Sequence, residues 1–151
     1  MTGVDALLDS NVLVAALVAR HEHHAPSYAL LETAADSVLA VAAHSYAEAF
    51  TTLTRRNGPA PYRREPGEVW TALEGVAAVT RLVGLTPERT LDAVRLYAAA
   101  GGIGARLYDH LIGRAAVLAG VGAIVTWNTG HLRSLFPALA VATPGEWLAG
   151  D

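Results

Sequence analysis

The sequence predicts an α/β domain, a parallel sheet of about four to five strands with helices on both faces. Three observations predict it. Short apolar, strand-length segments alternate along the chain with stretches of helical periodicity. No internal repeat and no linker interrupts the 151 residues, so residues 1–151 read as one domain. Hydrophobic residues make up 52% against 17% charged, which suits a self-standing core and excludes a disordered or linker protein.

Asp5-Ala6-Leu7-Leu8-Asp9, an apolar run bounded by acids, is the first strand candidate, and Val12–Val18, wholly apolar, suits a helix buried against a sheet. His23–Ala35 repeats Tyr28, Leu31 and Ala35 at helical spacing and reads as an amphipathic helix. Ser37–Val41 is a second strand, and His44–Arg55 a helix with Tyr46, Phe50 and Leu53 on one face. Residues 56–62 (Arg-Asn-Gly-Pro-Ala-Pro-Tyr) break the pattern and form a loop. Pro66 and Glu68 suit a first helical turn, and Val69–Val79 continues it.

Thr80–Leu85 is a third strand. Thr86 as N-cap and Pro87 in the first turn open a helix that runs to about Ala100. Gly101, Gly102 and Gly104 make a flexible link to a helix over Tyr108–Ala119, which Gly120 ends. Ala123–Thr126 is a fourth strand, Thr129–Leu135 a short helix, and Leu139–Ala142 a last short strand.

Composition removes several chemistries. Without cysteine there is no disulfide, thiolate zinc site or cysteine nucleophile, and that suits the cytosol. All 11 basic residues are arginine, so Schiff-base chemistry and the lysine of a phosphate loop are absent. No apolar run reaches the ~18 residues that span a bilayer, and no secretory leader is read at the start. With a net charge of −3, nucleic-acid binding would have to rest on local arginines. The six histidines, His21, His23, His24, His44, His110 and His131, do not fall into standard zinc spacing.

Sites on open parallel sheets form at the carboxyl ends of strands. Asp9 closes the first strand, Glu48 lies early in the helix after the second, Asp109 opens a helix, and Asn128 follows the fourth strand. On one rim these four would face one cleft. Carboxylates held together repel one another unless a cation lies between them, and a hard ion such as Mg²⁺ or Mn²⁺ prefers oxygen ligands. Water activated by such an ion can attack a phosphodiester. Structural roles are also open: Asp9, Asp109 and Asn128 sit where helix caps sit, and Ser45-Tyr46-Ala47-Glu48 fits a capping box. Asp5, Asp36, Asp92 and Asp151 read as turn or surface acids. Gly101-Gly102-Ile103-Gly104 lies between helices, the wrong context for a dinucleotide fold.

Leu7–Leu13, with Asp9-Ser10-Asn11 at its centre, resembles the opening motif of PIN-domain ribonucleases. Ala43–Glu48 is similar to that family's second motif, Tyr108–Ala116 to its third and Ile124–Leu132 to its fourth, in family order. Length and the glycine-rich lead into Tyr108-Asp109 look most like the VapC-type toxins of bacterial toxin–antitoxin pairs. The resemblance implies a Mg²⁺- or Mn²⁺-dependent endoribonuclease. Asp9 and Asp109 would be the principal metal ligands, with Glu48 binding through water or orienting the nucleophile. Asn128 stands where many members have Asp and lowers the site charge by one. Ser10, Asn11 and Thr126 would orient the carboxylates. The resemblance also implies an RNA substrate and a small antitoxin partner. Removing the three carboxylates leaves the rest of the chain formally neutral, and Arg55, Arg56, Arg63, Arg64 and Arg106 are the candidates for phosphate contacts. The apolar surplus predicts a homodimer and a groove for the antitoxin. Two rivals remain at this level: a PIN-like module that binds RNA or protein without cutting, and an aspartyl phosphotransferase, whose chemistry wants the lysine this chain lacks.

Overall fold

The computed structural model describes residues 3–59 and 61–150. Its frame is a five-stranded sheet in the order β3-β2-β1-β4-β5, with every pairing parallel. The strands are β1 Ala6–Leu8, β2 Leu39–Ala42, β3 Arg81–Val83, β4 Ala123–Val125 and β5 Val141–Ala142. The helices are α1 Ser10–Leu17, α2 His24–Glu32, α3 Ala43–Thr54, α4 Pro66–Val79, α5 Pro87–Ala99, α6 Leu107–Ala119, α7 Thr129–Leu135 and α8 Pro144–Leu148. The chain builds β1, β2 and β3 outward in one direction, then returns to lay β4 against the other side of β1. That reversal beside β1 is a topological switch point, where parallel sheets open a crevice at their carboxyl ends.

Alternation along the strands divides the core into two layers. Ala6 and Leu8 of β1, with Leu39 and Val41 of β2, face a cluster that includes Val12 and Leu13 of α1, Leu30 of α2, Leu53 of α3 and Leu73 of α4. Leu7, Ala40, Ala42 and Ile124 face the opposite cluster, with Ile112 and Ala116 of α6 and Leu132 of α7. The central strands β1 and β2 are buried throughout. They carry only aliphatic residues because helices cover both of their faces. Thr86 caps α5 by accepting from the Arg89 N–H, and Gly120 closes α6 in the left-handed conformation (φ 65°). Among the described residues no helix is long and apolar enough to cross a membrane.

Several expectations are corrected. In α2 the buried residues are Ser27 and Leu30, while Tyr28 and Ala35 are exposed and Leu31 is half-buried. Leu30 enters the core cluster and Ser27 is covered by the Trp127 indole, while Leu31 packs only on the edge of that cluster. Ser45 does not cap α3. The helix starts directly after β2 with Ala42 at its N-cap, and Ser45 lies inside the first turn with its hydroxyl buried and unpaired. The capping box among the described residues is Thr143 with Glu146, at the head of α8, a helix the sequence reading did not foresee. Asp109 is not a cap either, since Arg106 holds that position. The glycine link is ordered by a turn of 3₁₀ helix over Gly104–Arg106 and by the Tyr97 hydroxyl donating to the Ile103 carbonyl at 3.0 Å. Among the surface acids, Asp5 accepts from the Val38 N–H and Asp92 pairs with Arg95, while Asp151 lies outside the described residues.

Candidate active site

Asp9 ends β1 and is the N-cap of α1, so the strand delivers its carboxylate to the rim and the helix start fixes its rotamer. Its Oδ1 accepts the Ser10 N–H at 2.8 Å and its Oδ2 accepts the Thr126 hydroxyl at 2.9 Å. Because β1 and β4 pair in register, with Leu8 opposite Val125, Thr126 emerges beside Asp9. The buried Thr126 Oγ1 also accepts from the Asn11 side-chain amide (3.1 Å) and from the Asn128 N–H (3.0 Å). Asn11 Oδ1 takes the Trp127 N–H at 3.1 Å. One hydroxyl therefore ties the start of α1 to the turn after β4. Thr126 bonds Asp9 directly, Asn11 reaches it only through Thr126, and Ser10 contributes through its backbone N–H.

Glu48 lies in the second turn of α3, the helix that leaves the end of β2, next to β1 in the sheet. Its carboxyl is pushed up to about 7 by burial first, then by the negative charges of Asp9 and Asp109. His44, one turn earlier, brings Nε2 to 3.7 Å from Glu48 Oε1. Asp109, in the first turn of α6, is raised above the usual carboxylate range by burial, against the opposing pull of His131 and Arg106. Asp9 is raised by burial too; its two hydrogen bonds oppose the shift and Asp109 adds to it. These mutual effects place the three carboxylates within electrostatic reach of one another, although they come from three separate segments of the chain.

Asn128 reaches the same rim but does not join the carboxylates directly. Its side-chain amide lies 3.0 Å from His131 Nδ1, and that nitrogen lies 3.4 Å from Asp109 Oδ2. His131 is thus the residue through which Asn128 meets the acids. In the sequence it stood inside the segment similar to the fourth PIN motif and among six histidines, without a role at the site. Its signal was the i, i+3 spacing from Asn128 at the head of α7, which puts both side chains on one face of the first turn. A second contact also escaped notice: Trp127 donates its indole N–H to Ser27 Oγ at 2.9 Å and stacks on His23, with ring centroids 3.8 Å apart, clamping α2 to the turn after β4.

The donors are carboxylate and amide oxygens, the chemistry of a hard divalent cation. Among the described residues no group of three or more His, Asp or Glu side chains forms a ready cage for an ion.

The family profile described as PIN domain matches residues 6–134. The chain belongs to the PIN-domain family. Among solved structures, this PIN domain is similar to the sarcin–ricin-loop-cleaving toxin VapC20 of Mycobacterium tuberculosis, with 15% identity, a TM-score of 0.66, and coverage of 86% of this chain and 95% of that one. It is also similar to VapBC2 of Rickettsia felis bound to a DNA fragment from its promoter, at 18% identity and TM-score 0.65, covering 91% and 97% of the two chains. FitAcB of Neisseria gonorrhoeae gives 20% identity and TM-score 0.61, covering 93% and 98%. No curated protein matches the chain by sequence. At these identities the structural likeness speaks for the fold alone.

Proposed function

We propose that this PIN domain is a Mg²⁺- or Mn²⁺-dependent endoribonuclease and the toxin of a toxin–antitoxin pair. The reading rests on the Asp9 carboxylate held at the switch point by the Thr126 hydroxyl and the Ser10 N–H, with Glu48 raised by burial first and then by the charges of Asp9 and Asp109. Such a charge cluster is relieved by a cation, and a bound divalent ion supplies Lewis acidity toward a phosphate oxygen and a water nucleophile. Asp9 and Asp109 would hold the ion. Glu48, in its ionised form, would accept the proton of the attacking water at its carboxyl oxygen. The buried Thr126 hydroxyl keeps Asp9 from turning away. The exposed Arg106, near enough to Asp109 to lower it, would take a phosphate beside the site.

Support for the toxin role comes from the likeness to VapC20 and to VapBC2 and FitAcB. An antitoxin would act in the cytoplasm by covering the site, and the apolar side chains left exposed, among them Leu82, Leu91 and Ile103, suit a homodimer. The other reading, a module that binds without cutting, draws on Asn128 in place of a fourth acid.

The test is cleavage of labelled RNA by purified protein with Mg²⁺ or Mn²⁺, comparing wild type with Asp9→Asn and Asp109→Asn. Each substitution is expected to lower the rate by at least ~100-fold while circular dichroism stays native. Undiminished metal-dependent cleavage by both variants would overturn the assignment. A wild type that gains no thermal stability from Mn²⁺ and cuts no RNA would favour the binding module.

A further inference from the structure

Beside the carboxylates opens a cleft of about 420 Å³, lined by His44, Ala47, Glu48, Thr51, Thr52 and Tyr108. We propose that it seats one unpaired nucleobase of the RNA, next to the phosphate that is cut, with the base stacked on Tyr108. The inference rests on the endoribonuclease reading and specifies its substrate as single-stranded at that nucleotide.

Continuity with the site is the first argument. Glu48 belongs both to the carboxylate set and to the cleft wall, and Tyr108 immediately precedes Asp109. A phosphate drawn to a cation on Asp9 and Asp109, or to Arg106 beside them, would have a neighbouring nucleoside within reach of this space. Helix geometry gives the second. Positions 44, 48, 51 and 52 of α3 recur at i, i+4, i+7 and i+8, so one helix face forms the floor, while Tyr108 from the first turn of α6 forms the facing wall.

The chemistry of the wall selects the occupant. Tyr108 is 49% exposed, and its hydroxyl has no hydrogen-bond partner among the described residues, so its ring is committed neither to the core nor to a polar network. Aromatic faces of this kind are the usual platforms for unpaired bases and accept any base, because every base has a π-face. Thr51 spends its hydroxyl proton on the Ala47 carbonyl and keeps its lone pairs, and Thr52 has no partner among the described residues. Both can meet the edge of a planar polar ring. Glu48 is the acid in the wall and no arginine lines it, so a phosphate is disfavoured inside. Positive charge lies outside, at Arg55 one turn beyond Thr51 and Thr52 and at Arg106 before Tyr108, where the phosphates on either side of a seated base would run.

The experiment uses metal-free protein and a labelled single-stranded oligoribonucleotide that the wild type cuts, or a mixed-sequence one if it cuts none, read by fluorescence anisotropy. A series carries one abasic residue at successive positions. One position is expected to weaken wild-type binding about tenfold. Tyr108→Ala should bind the intact RNA about tenfold more weakly and be indifferent to that abasic position, while Tyr108→Trp restores wild-type behaviour. An equal Mn²⁺-induced rise in Tm for wild type and Tyr108→Ala checks that Asp109 is undisturbed. Intact RNA bound equally by wild type and Tyr108→Ala, or abasic effects shared by both, would overturn the cleft. Cleavage is followed separately with Mn²⁺. Base- and Tyr108-dependent binding without any cutting would sink the nuclease reading and leave the cleft standing.

Discussion

Thr126 shows how much of the site hangs on one atom. Its buried hydroxyl donates to Asp9 Oδ2 and accepts from Asn11 and from the Asn128 N–H, so the start of α1 and the turn after β4 share one hydrogen-bonding centre. Thr126→Val keeps the shape and removes all three bonds. It leaves a buried carboxylate oxygen without its donor, a loss worth about 1–3 kcal/mol. It also frees Asp9 to rotate, which predicts a fall in RNA cleavage of about 10–100-fold. Thr126→Ser should recover most of both. Urea unfolding and cleavage rates on the three proteins decide it, and a Val variant of wild-type stability and rate would refute the role. In the sequence this residue was named through the resemblance to the PIN family, as one of three that would orient the carboxylates. The bridge through His131 was not, since a histidine's partners depend on which helix faces it.

At the scale of elements, close packing sets the position of Asp109. Gly113, one helical turn after it, is buried, and a Cβ there would overlap the Phe136 ring just past α7. Only a glycine lets that ring approach α6. Gly113→Ala should therefore destabilise by about 1–3 kcal/mol through overpacking, and tilt α6 enough to lower cleavage as well. A tolerated alanine, with unchanged urea midpoint, would contradict the packing argument. Thr143→Ala, by removing the cap of α8, should cost about 1 kcal/mol and leave cleavage intact, because α8 carries none of the carboxylates. The elements with strong apolar runs, β1, α1, β2 and β4, were readable within a residue or two. The face of α2 was not: Tyr28 and Leu31 obey helical spacing, but the core cluster takes Leu30 and the Trp127 indole covers Ser27. The Ser45–Glu48 spacing misled for a similar reason. A capping box needs the chain to be extended at its first residue, and here β2 runs directly into helix three residues earlier.

For the whole molecule, the topology gathers negative charge from distant segments into one crevice, and the fold has to bear that repulsion. Asp9, Glu48 and Asp109 are all raised relative to their free values of 3.8, 4.5 and 3.8. A carboxylate raised on folding contributes stability that is present below its unfolded value and lost as pH climbs through its folded value. For Glu48 that window runs from 4.5 to about 7. His44 and His110 act in the opposite sense, because burial lowers both from 6.5, so folding resists their protonation as pH falls. The two trends overlap in any raw melting curve. The informative quantity is the difference between wild type and Glu48→Gln, which cancels His110 and leaves of the two only His44, whose Nε2 lies 3.7 Å from the substituted carboxyl. Without a divalent ion, Glu48→Gln should match wild type near pH 4.5 and exceed it by about 2–4 °C in Tm at pH 8, the equivalent of ~1 kcal/mol for a domain of this size after allowing for partial solvent screening. Adding Mn²⁺ at pH 8 should raise the wild-type Tm and narrow that gap, since the ion then offsets the charge that the substitution removes. Asp9→Asn with Asp109→Asn should abolish the Mn²⁺ response. A Glu48→Gln curve parallel to wild type from pH 4.5 to 8 would mean that neither burial nor the neighbouring carboxylates raise Glu48, and would remove the electrostatic reason for a cation at the crevice.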